Sequence, residues 1–196
     1  MNRIHIVGRK NHGKTGLVVD LVEELTRRGL RVGCIKHSAH SHELDSPGKD
    51  SYRQSKAGAE PTAVVTRDSI AIYVTRPQDD CFYELMAPLY EACDLVLVEG
   101  HIDADGIKLE VWRAEKEDPP LATERNDLTA VVSDDETAID ALCRSCGSEP
   151  FLPRGPLKNI PIWPRTDIAC LADNILALVA SISVPLKTDA AIEGSV

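Results

Sequence analysis

A chain of 196 residues, 43% hydrophobic with 12 glycines and 12 prolines, carries enough apolar material for one substantial core and reads as a globular domain, not a disordered segment. A net charge of −9 and a pI near 5.1 repel polyphosphate, which excludes nucleic acid and anionic membrane as main partners and demands local basic residues wherever phosphate binds. No run approaches the ~18 apolar residues of a membrane span, and six irregularly spaced cysteines look like reduced thiols, so a cytoplasmic location is expected.

Arg3-Ile4-His5-Ile6-Val7 alternates polar and apolar residues and reads as a strand. It runs into Gly8-Arg9-Lys10-Asn11-His12-Gly13-Lys14-Thr15, which fits the pattern G-x-x-x-x-G-K-[ST] at every fixed position. Glycines let backbone N–H groups turn onto a polyphosphate, Lys14 can reach its terminal phosphates, and Thr15 offers a hydroxyl to Mg²⁺. After Gly16, Leu17, Val18, Leu21, Val22 and Leu25 recur at helical spacing, closed by Arg27, Arg28 and Gly29. The loop therefore meets a helix N-terminus, where unpaired N–H groups and the helix dipole favour an anion, and the expected nucleotide cradle is Gly8 through Gly16.

Arg31-Val32-Gly33-Cys34-Ile35 completes a parallel βαβ unit. Lys36 to Ser51 is an unusual polar stretch with three of the six histidines and a Ser46-Pro47-Gly48 turn. In open α/β sheets ligands bind beyond the carboxyl ends of strands, so this loop would face the same crevice as Gly8–Thr15. Asp45 and Asp50 are candidates for holding Mg²⁺ or orienting a water, and Lys36 and Lys49 for anion contacts. His37, His40 and His42 are candidates for substrate or proton handling, or for a metal, although their spacing matches no defined zinc pattern.

Residues 52 to 58 read as a short helix, and 62–66 and 70–74 as an antiparallel hairpin on the sheet. Phe82, Leu85, Met86, Leu89 and Tyr90 predict an amphipathic helix over 81–92. Asp94-Leu95-Val96-Leu97-Val98-Glu99-Gly100 is a buried-strand pattern ending in an acid, the position from which Glu99 would complete a magnesium shell. Strands at 108–112 and 128–132 flank a charged connection, and a helix opens at Thr137–Leu142. Cys143 and Cys146 read as ordinary thiols at its end. Pro161 marks an edge strand at 160–163, Asp167 caps a last helix, and residues 183–196 read as a loose tail after a single domain at 1–182.

These pieces resemble the MobB family of molybdopterin-guanine dinucleotide biosynthesis adaptor proteins, to about residue 182. The carrying motifs are Gly8–Thr15, Ile35-Lys36-His37 through Asp45-x-Pro47-Gly48-Lys49-Asp50-Ser51-Tyr52, Ala57-Gly58-Ala59, Leu95–Gly100 and Ala130-Val131-Val132-Ser133-Asp134. The Pro-Gly-Lys-Asp-Ser-Tyr block is the specific one. The resemblance implies an α/β fold of the P-loop NTPase type, with a mostly parallel twisted sheet, helices on both faces and an antiparallel hairpin or edge extension. It further implies a homodimer that binds GTP with Mg²⁺, hydrolyses it weakly, and works with a MobA-like nucleotidyltransferase in attaching GMP to molybdopterin. Carried over are Gly13, Lys14 and Thr15 for phosphate and magnesium, Asp45 and Glu99 for the magnesium shell, and Lys36, His37, Lys49 and Asp50 for the loop facing nucleotide or pterin. His12 stands where the family often has a small residue.

No N-K-x-D guanine signature occurs, so guanine preference rests on the resemblance, with Ser133 and Asp134 as the suggested base pocket. Arg9 or Lys10 could reach a partner protomer's nucleotide and join Lys14 and Asp45 in catalysis. Two other functions fit the residues. One is a small-molecule kinase with Asp45 or Asp50 as base and Arg113 and Arg125 in a lid; the other is a non-catalytic metal carrier built on His37, His40 and His42.

Overall fold

All strands of the main sheet run in one direction. The computed structural model describes residues 1–41, 43–77, 81–135 and 160–182. Its strands are β1 (Arg3–Val7), β2 (Val32–Lys36), β3 (Thr62–Val65), β4 (Ile70–Tyr73), β5 (Leu95–Glu99), β6 (Ile107–Val111), β7 (Ala130–Val132) and β8 (Ile162–Trp163). All but β3 and β4 form a parallel sheet in the order β2-β5-β1-β6-β7-β8. The register sets Ile6 opposite Glu99 on β5 and Val7 opposite Glu110 on β6, so the end of β1 lies between the ends of these two neighbours.

One face of the sheet is covered by α1 (Lys14–Arg27) and by α4 (Ile168–Ile182). The spacing of Leu17, Leu21 and Leu25 presents them to Ile4, Ile6, Leu97 and Leu109, with Leu171 and Ile175 of α4 in the same cluster. Each such fully buried leucine or isoleucine contributes roughly 2 kcal/mol relative to exposure. The other face is covered in two patches. Trp112, Ala122 and Leu128 lie over Val7 and Val131, while Phe82 and Tyr83 lie over Ile35, Val96 and Val98.

α2 (Asp50–Lys56) starts two residues before the expected 52, because Lys49 takes the extended N-cap conformation, and Gly58 at φ +107 closes the turn after it. The expected hairpin forms as a separate ribbon, with Thr62 opposite Tyr73 and Val65 opposite Ile70, and among the described residues it is hydrogen-bonded to no strand of the main sheet. The helix expected over 81–92 is shorter than its periodicity implies. α3 (Phe82–Met86) tightens into a 3₁₀ turn over Ala87–Tyr90 because Pro88 has no N–H to continue the α-helical ladder. β8 is the edge strand that Pro161 predicts. His42, the helix expected at Thr137–Leu142, Cys143, Cys146 and the tail 183–196 lie outside the described residues. Among the described residues no helix is long and apolar enough to cross a membrane.

Candidate functional site

The loop after β1 has positive φ at Gly8 (+142°), Asn11 (+67°) and Gly13 (+94°). A Cβ on Gly8 would stand 2.5 Å from the carbonyl oxygen of Val111, so the loop passes β6 at a separation that only glycine allows. Asn11 is among the few non-glycine residues that adopt this conformation readily. Gly13 is the N-cap of α1, whose start has no side-chain cap and no acid in its first turn, leaving its N–H groups and dipole open to an anion.

Lys14 folds back over this loop, with Nζ donating to the carbonyl oxygens of Gly8 at 2.8 Å and Arg9 at 2.7 Å. Burial lowers its pKa from the ordinary lysine value; Glu99 opposes the shift and Lys36 adds to it. Thr15 Oγ1 donates to Glu99 Oε1 at 2.8 Å, and Lys36 Nζ lies 3.4 Å from the same oxygen. The β2–β5 register, which sets Lys36 opposite Glu99, produces this grouping. The structure therefore brings together four predicted residues: Lys14, Thr15, Lys36 and Glu99.

Asp45 accepts the Ser46 N–H through Oδ1 at 2.8 Å, while its Oδ2 is sealed from solvent with no hydrogen-bond donor among the described residues. The Thr15 hydroxyl and the Glu99 carboxylate are hard donors that suit magnesium, and Asp45 makes no hydrogen bond to either among the described residues. Lys49 and Asp50 sit at the exposed start of α2, where Asp50 is 3.9 Å from Arg53, and neither is paired with the Gly8–Thr15 loop among the described residues. His37 lies in an aromatic cluster. Its ring stacks on His101 at 4.1 Å within a cluster that includes Phe82, because the left-handed turn at Gly100 and His101 folds the His101 ring back onto these aromatic groups. Among the described residues no three His, Cys, Asp or Glu side chains converge as a metal site.

On the opposite flank of β1, a strap from Trp112 to Arg125 is tied to the loop. Arg9 Nε donates to Pro119 O at 3.0 Å and its Nη2 pairs with Glu124 at 2.5 Å. His12, fully buried, accepts the Arg113 N–H on Nδ1 at 3.1 Å, and its Nε2 lies 3.5 Å from Asp118 Oδ2. Trp112 Nε1 donates to Asp118 O at 2.8 Å. Beneath the strap, the buried carboxylate of Glu110 accepts the N–H groups of Leu121 at 2.5 Å and Ala122 at 2.9 Å. Burial raises the Glu110 pKa, and these two donors pull it back. Ser133 and Asp134 serve turns: Ser133 Oγ accepts from Asp135 N at 3.2 Å and Asp134 Oδ1 from Thr166 N at 2.7 Å. Both line a cleft of about 280 Å³ shared with Trp112, Arg113 and Arg165. Arg165 pairs with Asp20 of α1.

Sequence reasoning missed the roles of His12, Glu110 and Asp118. One signal was present: Glu110 is an acid inside a strand that is buried at all five positions, and such an acid must find internal donors.

A glycine-rich loop between the first strand of a parallel sheet and the N-terminus of a helix, with a lysine, a threonine and a neighbouring strand-end acid beside it, defines a P-loop NTPase-like protein. A family model described as "MobB: Molybdopterin guanine dinucleotide synthesis protein B" matches residues 3–134, and the chain belongs to that family. It is 36% identical over 104 residues to the molybdopterin-guanine dinucleotide biosynthesis adapter protein of Escherichia coli, covering 52% of this chain and 59% of that protein. The chain thus spans little more than half the length of that relative. It is also similar, at 31% identity over 91% of its length, to 49% of the tetraacyldisaccharide 4'-kinase of Haemophilus influenzae. The crystal structure of a MobB protein homolog from Bacillus stearothermophilus superposes with a TM-score of 0.58 at 27% identity, over 92% of this chain and 99% of that one.

Proposed function

We propose that this chain is a GTP-binding, weakly GTP-hydrolysing adaptor in molybdenum cofactor biosynthesis, assisting the conversion of molybdopterin to molybdopterin-guanine dinucleotide. The observation that carries the reading is the grouping of Lys14, Thr15, Lys36 and Glu99 beside an uncapped helix N-terminus. In this reading the N–H groups of Gly8 to Gly16 cradle the phosphates, Lys14 leaves its loop carbonyls for the terminal phosphate oxygens, and Mg²⁺ is held by Thr15 and Glu99 with Asp45. Asp45 orients the attacking water, and slow turnover fits a site whose remaining loop acids, Glu43 and Asp50, face solvent. Arg9 would have to exchange Glu124 for a partner's phosphate to act in catalysis.

The partners in this reading are molybdopterin and a MobA-like nucleotidyltransferase, as the adapter names of the relatives support, in the cytoplasm. A single domain over residues 1–182 carries it. A homodimer is supported by the β3–β4 ribbon, which leaves Val65, Ile70 and Ile72 more than half exposed, an apolar surface with no partner strand within the described chain.

A small-molecule kinase is the second reading, favoured by the similarity to the tetraacyldisaccharide 4'-kinase. A competition titration of GTP against ATP with Mg²⁺, on wild type and Lys14→Ala, decides between them. GTP preference that is lost in Lys14→Ala is expected; ATP preference favours the kinase, and no binding of either nucleotide refutes both.

A further inference from the structure

We propose that Arg113 grips the flank of the bound triphosphate that faces away from the metal, contacting the α- and β-phosphate oxygens; the proposal rests on the nucleotide reading above. The sheet order β5-β1-β6 sets Glu99 on one side of the loop and the end of β6 on the other. Two residues beyond that end, the Arg113 guanidinium lies across Gly13. A Cβ placed on Gly13 would stand 2.8 Å from Nη2, 3.0 Å from Cζ and 3.1 Å from Nε, so the guanidinium fills the space that a side chain at Gly13 would need. It therefore borders the start of α1, where the open N–H groups converge.

The backbone of Arg113 is fixed to the loop while its charge is not spent. Its N–H is held by the buried His12, and the neighbouring Trp112 is anchored by its indole to Asp118. Its carboxylate contact is Glu115 at 3.8 Å, with both side chains about half exposed. Three other cations along the cradle are committed more tightly: Arg9 to Glu124, Lys14 to two carbonyls, Arg165 to Asp20. A planar guanidinium held by its main chain can fork onto two phosphate oxygens without losing a strong internal pair. The cleft that Arg113 shares with Ser133 and Asp134 leaves room beside it for the nucleoside.

Oxygens of the α- and β-phosphates are common to GDP and GTP, so Arg113→Ala should weaken both by a similar factor, roughly tenfold or more. Arg113→Lys, which keeps the charge and loses the fork, should recover only part of this. The measurement is fluorescence anisotropy of methylanthraniloyl-GDP and methylanthraniloyl-GTP against wild type, Arg113→Ala, Arg113→Gln and Arg113→Lys, with circular dichroism to confirm folding; Arg113→Gln carries the test if the alanine variant does not fold. Affinities within twofold of wild type for both ligands overturn the proposal. A loss confined to the GTP analogue also overturns it, because it would move the guanidinium to the γ-phosphate. Wild-type protein that binds neither ligand refutes the nucleotide reading itself and the proposal with it.

Discussion

Replacing Glu110 with alanine tests whether the strap is held from below. Its carboxylate satisfies two backbone donors, Leu121 and Ala122, in a region where Ala122 is fully buried. Each donor left without a partner costs about 1–3 kcal/mol. The raised Glu110 pKa means that ionised Glu110 is itself held at a desolvation cost, which the variant recovers, so the net loss should fall near the lower end of the two-donor sum, about 2–3 kcal/mol. Urea denaturation should give a lower midpoint at unchanged slope. Hydrogen exchange should accelerate selectively at Leu121 and Ala122, and trypsin should cut faster at Arg113, Lys116 and Arg125. An unchanged midpoint together with unchanged exchange over the strap would falsify the assignment of Glu110 as its anchor.

Two other expectations follow from burial and exposure. His5 is fully buried, and burial pushes its pKa down to about 4, against a smaller upward pull from the Gly100 backbone. The unfolded chain, with a pKa near 6.5, takes up this proton first, so stability should be flat above pH ~6.5 and fall from there toward pH 4 by at most ~1.36 kcal/mol per pH unit. His5→Asn should flatten that part of the profile, measured by urea midpoints across pH; a parallel profile in the variant would refute the assignment. On the ribbon, Val65→Lys with Ile72→Lys should leave the monomer fold intact and lower the solution mass seen by light scattering from that of a dimer to that of a monomer. Unchanged mass would clear the ribbon of any part in assembly.

The geometry of the Gly8–Thr15 loop was legible in the sequence because its determinants are local. Loop glycines, a helical repeat after Lys14 and an acid closing an apolar strand each fix their own geometry within a few residues. The contact of Thr15 with Glu99 joins the first turn of the helix after β1 to the carboxyl end of the adjacent parallel strand β5. What stayed hidden depends on contacts about a hundred residues apart, such as Arg9 with Glu124 and His12 with the Arg113 amide. The stack of His37 on His101 and Phe82 is hidden for the same reason: it depends on a left-handed turn that no local pattern announces. The helix expected over 81–92 stops short because Pro88 interrupts a periodicity that otherwise continues to Tyr90.

Lys14, already satisfied by Gly8 and Arg9, begins from an occupied state. A phosphate arriving as proposed would offer that ammonium an exchange of acceptors, two neutral oxygens for an anionic one. On the proposed reading Lys14 is a latch with two positions, loop-bound and phosphate-bound, and the loop carbonyls reduce the net gain of closing on the phosphate.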